Sequence, residues 1–313
     1  MKIFKRSIAV GIVLAAMCFS ITCFTASCKQ SNASSSSNVD LKLVGNTQIA
    51  DDSTPAQAPL AGDSTIPKGA RILMTVYPDF VKGYKDGKLV MNDGSTITYD
   101  DGRKKSFSQL LDDADPDDMF AFDYNLNSWT PAKMQDAGRS RCDQFFKKMY
   151  GNSEGAVRGN LVAVRWPFGQ ATNNGGVNKN IKTVKFTKVN GANKQLEKVV
   201  AELEKHPELH KYLAQSGAFY WRPVRGANRL SAHSYGMTID IGVKYSDYWR
   251  SHAKDENEAV TYKNKFPHEI VEIFEKYGFI WGGRWYHYDT MHFEYRPEIL
   301  MDARSKYQTN TNK

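Results

Sequence analysis

Apolar and polar positions in the second half of the chain repeat with two different periods. In KQLEKVVAELEKHPELHKYL, Leu196, Val199, Val200 and Leu203 recur three and four apart, which predicts an amphipathic helix. PHEIVEIFEKYG predicts a second, with Ile270, Ile273, Phe274 and Tyr277 as its buried stripe and Gly278 as its stop. The period shortens to two in MTIDIGV, where Thr238 and Asp240 point one way and Ile239, Ile241 and Val243 the other. It is two again in YDTMHFEYR, where Met291, Phe293 and Tyr295 alternate with His292 and Glu294. Upstream, ARILMTVY reads as a strand, and GKLVMNDGSTITYDDG as strand, turn and strand around Asp93-Gly94. SFSQLLDDADPDDMF offers a short helix and an acidic loop that lacks the glycine and terminal glutamate of a calcium loop. LVAVRWPF and TVKFTKV read as strands separated by an Asn/Gly-rich loop, and FIWGGRWYHYDTMHFEYRPE as closing β structure with a Gly-Gly turn. No internal repeat is visible. Strands before and after two helices predict an α+β fold: a small antiparallel sheet with flanking helices, preceded by a β-rich N-terminal region.

The start of the chain follows none of these periods. MKIFKR is basic and SIAVGIVLAAMCFSITCF is an uncharged apolar run, which together read as an export signal over residues 1–27. TASC then resembles the lipobox of bacterial lipoproteins, so lipidation is expected at Cys28, with an uncleaved anchor or a simple signal peptide as the alternatives. Each places the remainder outside the cytoplasm, at the cell envelope, facing the periplasm or the exterior. Residues 28–67, rich in Ser, Thr, Ala, Pro and Asp, have the composition of a flexible tether. The organisation read from these shifts is a β-rich region of unknown role over 68–194, a metal-bearing domain over 195–303 and a disordered tail over 304–313.

Composition narrows the classes. With 313 residues and 41% hydrophobic content the chain can bury a large core. Three of its four cysteines lie in the first 28 residues, so no disulfide framework is available, and Cys142 reads as a structural thiol. The net charge of +8 falls to +5 once Lys2, Lys5 and Arg6 are removed, a dispersed excess that suits an acidic envelope polymer or anionic lipid and offers no nucleic-acid stripe. A monomer is expected.

Candidate chemistry lies where the period-two segments carry polar residues. Two other histidine groups fail first. His206 and His210 have no carboxylate cluster and Pro207 between them, while His268-Glu269 opens HEIVE, with Glu272 where a zincin helix needs its second histidine. In SAHSYGMTIDIG, His233 precedes Asp240 by seven residues, and Gly236 favours a loop leading into a strand. A carboxylate carried mid-strand opposite an apolar face calls for a cation. If the strands of Asp240 and His292 are neighbours, His233, Asp240 and His292 converge as three ligands with a fourth position for water, the pattern of a catalytic zinc. The same spacing also fits a buried Asp–His couple without metal, and both readings stay open on spacing alone. Asp289, three residues before His292, is placed to reach water on such a metal, where its pKa comes to about 7, so hydrolysis is the expected chemistry. Arg222, Arg225 and Arg229 offer guanidinium groups for an oxyanion or a substrate carboxylate.

Taken together, RPVRGANRLSAHSYGMTIDI and GFIWGGRWYHYDTMHFE resemble the zinc D-alanyl-D-alanine carboxypeptidase family, especially the branch of phage L-alanoyl-D-glutamate endolysins. The shared pattern is an arginine before Ser-x-His-x-x-Gly-x-x-x-Asp, then Trp-Gly-Gly and Asp-x-x-His-Phe-Glu. The resemblance covers about residues 195–300. It implies zinc ligands at His233, Asp240 and His292, a catalytic carboxylate at Asp289, a transition-state arginine at Arg222 and peptidoglycan stem peptides as substrate. It also implies the small antiparallel sheet shared by lysostaphin-type peptidases and hedgehog domains. The carboxypeptidase and dipeptidase branches usually carry glutamate at the catalytic position, so Asp289 favours the endolysin-like branch; Thr238 replaces a common alanine. Ser231 is assigned to supporting the site and Glu294 to orienting a ligand histidine. Trp281, Trp285 and Tyr235 are assigned first to the core and second to the substrate wall.

The function expected is therefore an envelope-anchored zinc peptidase. One rival is a zinc-containing peptidoglycan-binding module without activity, against which Asp289 argues. Another is a non-haem Fe(II) oxygenase, against which the seven-residue His–Asp spacing argues.

Overall fold

The computed structural model describes residues 64–307 apart from 170, 174, 175, 179–181, 225, 228, 254 and 256–258. The signal, Cys28, the tether up to residue 63, Arg225 and the tail beyond Tyr307 lie outside the described residues. From Lys68 the chain runs through α1 (Lys68–Val76), β1 (Val81–Lys85), β2 (Lys88–Met91), β3 (Thr96–Thr98), α2 (Phe107–Asp112), α3 (Asp143–Tyr150) and α4 (Glu154–Arg158). It continues through β4 (Leu161–Arg165), β5 (Ala171–Asn173), β6 (Gly176–Asn178), β7 (Thr183–Thr187), α5 (Ala192–Leu203), β8 (Ser216–Gly217) and β9 (Thr238–Asp240). The last elements are α6 (His268–Lys276), β10 (Phe279–Trp281), β11 (His292–Tyr295) and α7 (Pro297–Tyr307). This is an α+β fold with small antiparallel sheets. No helix among the described residues is long and apolar enough to cross a membrane.

Four expectations change. ARILMTVY is helix α1, with Gly69, Ala70, Ile72, Leu73 and Val76 buried. A short apolar run does not separate helix from strand by period, and here the packing of α1 against α7 and β1 decides. The Asn/Gly-rich loop holds the β5–β6 hairpin, which extends the main sheet. The closing segment keeps strands β10 and β11, but a 3-10 turn at Gly282–Arg284 separates them, and Pro297 opens α7, which continues to Tyr307. Two other readings hold, since β2 and β3 flank Asp93-Gly94 and β4 pairs with β7 in one antiparallel ladder, whereas the strand read through Val243 ends at Asp240 and Val243 is exposed in a 3-10 turn.

The main sheet has the order β10-β11-β9-β8-β5-β6 and is antiparallel except between β5 and β8. One face of β9 and β11 is fully apolar: Ile239 and Phe293 are opposite each other, and Phe293 stacks on Phe274 of α6 at 4.1 Å. Ile270, Val271 and Phe274 are the buried apolar residues of α6, whereas Ile273 and Tyr277 are half-buried. Each such aliphatic or aromatic side chain contributes about 1.5–3 kcal/mol on burial, enough to hold the opposite, polar face of two short strands in register.

The residues before β8 are tied to this sheet by buried polar contacts. Tyr124 Oη donates to Glu275 of α6 at 2.6 Å, and Tyr77 Oη donates to Glu298 of α7 at 2.5 Å. Asp136 accepts from the backbone N–H of His287 at 3.0 Å. Buried polar groups are stable only when paired, so these contacts fix the upstream segment against the residues that carry the candidate site.

Candidate metal centre

Strand register builds the centre. His292 on β11 lies directly opposite Asp240 on β9, so their side chains leave the sheet on the same face. His233 comes from the 3-10 turn Ala232–Tyr235 that leads into β9. One ligand atom from each of His233, Asp240 and His292 lies within 4.8 Å of the other two. His233 Nε2 is 3.1 Å from Asp240 Oδ2, and His292 Nδ1 is 3.0 Å from Asp240 Oδ1.

The opposite ring nitrogens fix what those contacts mean. His233 Nδ1 is 2.5 Å from the carbonyl oxygen of Ala218, which only accepts, so Nδ1 carries the proton and Nε2 presents a lone pair to Asp240. His292 Nε2 is 3.3 Å from the carboxylate of Glu294, a partner that holds a proton on Nε2 and leaves Nδ1 as the nitrogen turned to Asp240. Two imidazole nitrogens therefore face one carboxylate, an arrangement that needs a cation or a proton between them. Two donors bound to one tetrahedral zinc at about 2.0–2.1 Å lie roughly 3.4 Å apart, close to both observed separations. The donor set fits zinc.

Electrostatics agree. Burial lowers the proton affinity of His292, but hydrogen bonds to Asp240 and Glu294 outweigh it and raise its pKa to about 10. Burial pushes Asp240 up, and the charges of His233 and His292 more than reverse this, holding it far below the carboxylate range. Asp289 is pushed up to about 6, first by burial and then by the Asp240 carboxylate. Its Oδ1 is buried without a hydrogen-bond partner. The Asp289 backbone is fixed by its N–H donating to Gly282 O at 3.0 Å and by a bridge to Tyr248. A side chain at 282 would put Cβ 2.5 Å from Asp289 O and 3.2 Å from His292 Cβ, which is why this close approach takes glycine.

A cavity of ≈ 510 Å³ opens over the three ligands, and Asp289, Arg222 and Ser231 also line it. Arg222 lies partly over the Tyr220 ring at 5.8 Å, and no carboxylate among the described residues pairs with it. Its backbone is stitched to the turn of His233 by Ser231 N–H and Ser234 Oγ. Trp285 also lines the cavity, with its ring 5.3 Å from that of His292. Trp281 is buried in the core, and its Nε1 donates to Thr290 O at 2.8 Å beneath the turn that holds Asp289. Tyr235 packs on Phe146 and Tyr150 of α3 and donates to Asp143 at 2.8 Å.

Residues 225–295 match the family model described as D-alanyl-D-alanine carboxypeptidase. The match spans His233, Asp240, Asp289, His292 and Glu294, begins after Arg222, and supports the resemblance at the level of that family. Comparisons with curated proteins and with solved structures gave no match.

Two contributions escaped the sequence reading. His287 lines the cavity with its Nδ1 2.6 Å from Asp136, and the only signal was its place two residues before Asp289. Ser108, Asp112, Arg139 and Arg141 form part of the cavity wall from positions far upstream, where no local pattern marks them. Elsewhere, Asp100, Asp101 and Asp115 also cluster, but Lys105 Nζ lies 3.0 Å from both Asp101 and Asp115 and already supplies them with a cation. Burial pushes the Cys142 thiol up to about 11, in keeping with an inert structural thiol.

Proposed function

We propose that the chain is a zinc-dependent peptidase that hydrolyses peptidoglycan stem peptides, as a D,D-carboxypeptidase or an L-alanyl-D-glutamate-type endopeptidase. The observation that carries the reading is the pair of imidazole nitrogens facing Asp240 in a cavity where Asp289 keeps an unpartnered carboxylate oxygen. The family match over 225–295 supports the substrate class. The N-terminal signal and Cys28 support an exported protein tethered to a membrane, close to such a polymer.

His233, Asp240 and His292 hold the ion, which when bound supplies Lewis acidity to a water and to the scissile carbonyl. Asp289 accepts the proton of the attacking water and returns it to the leaving amine. The guanidinium of Arg222 steadies the oxyanion that develops on the carbonyl. Glu294 and Ala218 O keep the two imidazoles turned towards the ion.

The test is hydrolysis of purified stem peptides followed by mass spectrometry. Chelation should abolish cleavage and zinc should restore it. Asp289→Ala should keep its zinc while losing about 10²–10⁴-fold in kcat. Cleavage that survives chelation would refute the reading, and binding to sacculi without peptide release would replace it with the binding module.

A further inference from the structure

We infer that Arg139, Arg141 and Arg229 form a carboxylate-binding subsite of this cavity, through which the chain selects peptides with a free carboxylate near the scissile bond; the inference rests on the peptidase reading above. Arg139 and Arg141 precede α3, and Arg229 lies four residues before His233. All three line the cavity together with the candidate metal ligands. Two of them therefore come from outside the stretch that matches the peptidase family.

The three guanidinium groups are close enough to feel one another. Burial, then the positive charges of Arg141 and Arg139, pull the pKa of Arg229 down to about 10. A half-buried guanidinium cluster of this kind calls for anions. Arg139 pairs with Asp136 at 2.6 Å. The carboxylate nearest Arg141 is Glu294 at 3.7 Å, and Glu294 is already held by Arg296 at 2.9 Å. Arg229 pairs through Nη1 with Asp112, whose side chain is 54% exposed at the end of α2, and its buried Nε has no partner. Asp112 thus shows that a carboxylate fits against Arg229 from the solvent side. A peptide carboxylate is the complementary group, since the guanidinium fork bonds it bidentately. It has two sources in a stem peptide, the C-terminus and the free carboxylate of the D-glutamate residue.

The experiment uses the zinc-loaded full chain and two pairs of synthetic stem peptides. One pair differs only in a C-terminal carboxylate or carboxamide, the other only in the free D-glutamate carboxylate or its carboxamide. In one pair the carboxylate form should show a KM about tenfold lower or better, and the responding pair names the source. Arg229→Gln should collapse that KM ratio towards one. Asp112→Asn, at an exposed position, should widen it several-fold by removing the internal competitor. A wild type that cleaves both members of both pairs equally overturns the subsite and leaves the peptidase reading standing, and so does a ratio that survives Arg229→Gln. If Arg229→Gln does not fold, an unchanged ratio in Asp112→Asn overturns it instead. Failure of the zinc-loaded wild type to cleave any peptide overturns the peptidase reading, and the subsite with it.

Discussion

Asp240 meets Nε2 of His233 but Nδ1 of His292, because Ala218 O and Glu294 engage the opposite nitrogens. An asparagine amide oxygen lies as many bonds from Cα as Nδ1, and a glutamine amide oxygen as many as Nε2. His292→Asn should therefore retain more zinc affinity than His292→Gln, and His233→Gln more than His233→Asn. The difference within each pair should be on the order of tenfold in Kd, or about 1.4 kcal/mol, read by competition with a chromophoric chelator. Equal losses in all four variants would contradict the nitrogen assignment. The residues of this centre were legible because period-two alternation put Asp240 and His292 on polar strand faces. The choice of nitrogen was not, since it depends on Ala218 and Glu294 and on a sheet register that only the fold supplies.

Among the elements, β9 is short and is held at both ends. Directly after it, Gly242 adopts φ +57, and a Cβ there would lie 2.1 Å from Tyr212 O and 2.8 Å from Phe266. Gly242→Ala should cost at least roughly 2 kcal/mol, from strain and overpacking together, measured by chemical denaturation. Zinc affinity should fall as well, because the displaced backbone carries Asp240. A variant as stable as the wild type would show that the strand end repacks freely. α5 and α6 were readable because each has enough periodic residues to show 3.6, and β9 and β11 because polar and apolar residues alternate through and around them. α1 was misread because its nearly unbroken apolar run shows neither period, and its contacts with α7 lie more than 200 positions away in sequence. The β5–β6 hairpin was hidden for a related reason: its sequence has no apolar alternation, and strand pairing with β8 makes it part of the sheet.

For the molecule as a whole, the upstream segment and the candidate centre share buried charges. Burial pushes the Asp136 carboxyl up, but the hydrogen bond from His287 and the charge of Arg139 outweigh it, leaving Asp136 below its ordinary 3.8. A carboxyl lowered by folding contributes its stability fully above that ordinary value and loses it as the pH falls through the lowered one. Asp136→Asn should therefore be less stable than wild type at pH 7 by about 3 kcal/mol. The gap should shrink progressively below pH 3.8, as urea unfolding midpoints across pH would record. A gap that stays constant to pH 2 would exclude the charge of Asp136 as its source.

The clasp between the first and last helices also bears on how the chain can be connected. Lys68 Nζ binds Asp302 at 2.7 Å, and Lys68 and Lys306 border the same hollow, so the two ends of the described fold are neighbours. A circular permutant that joins residue 307 to residue 68 through a short Gly/Ser linker, with new ends opened at the exposed turn of Gly102, should fold and bind zinc like the parent. Attachment to a surface could then be moved from one side of the molecule to another without rebuilding its interior.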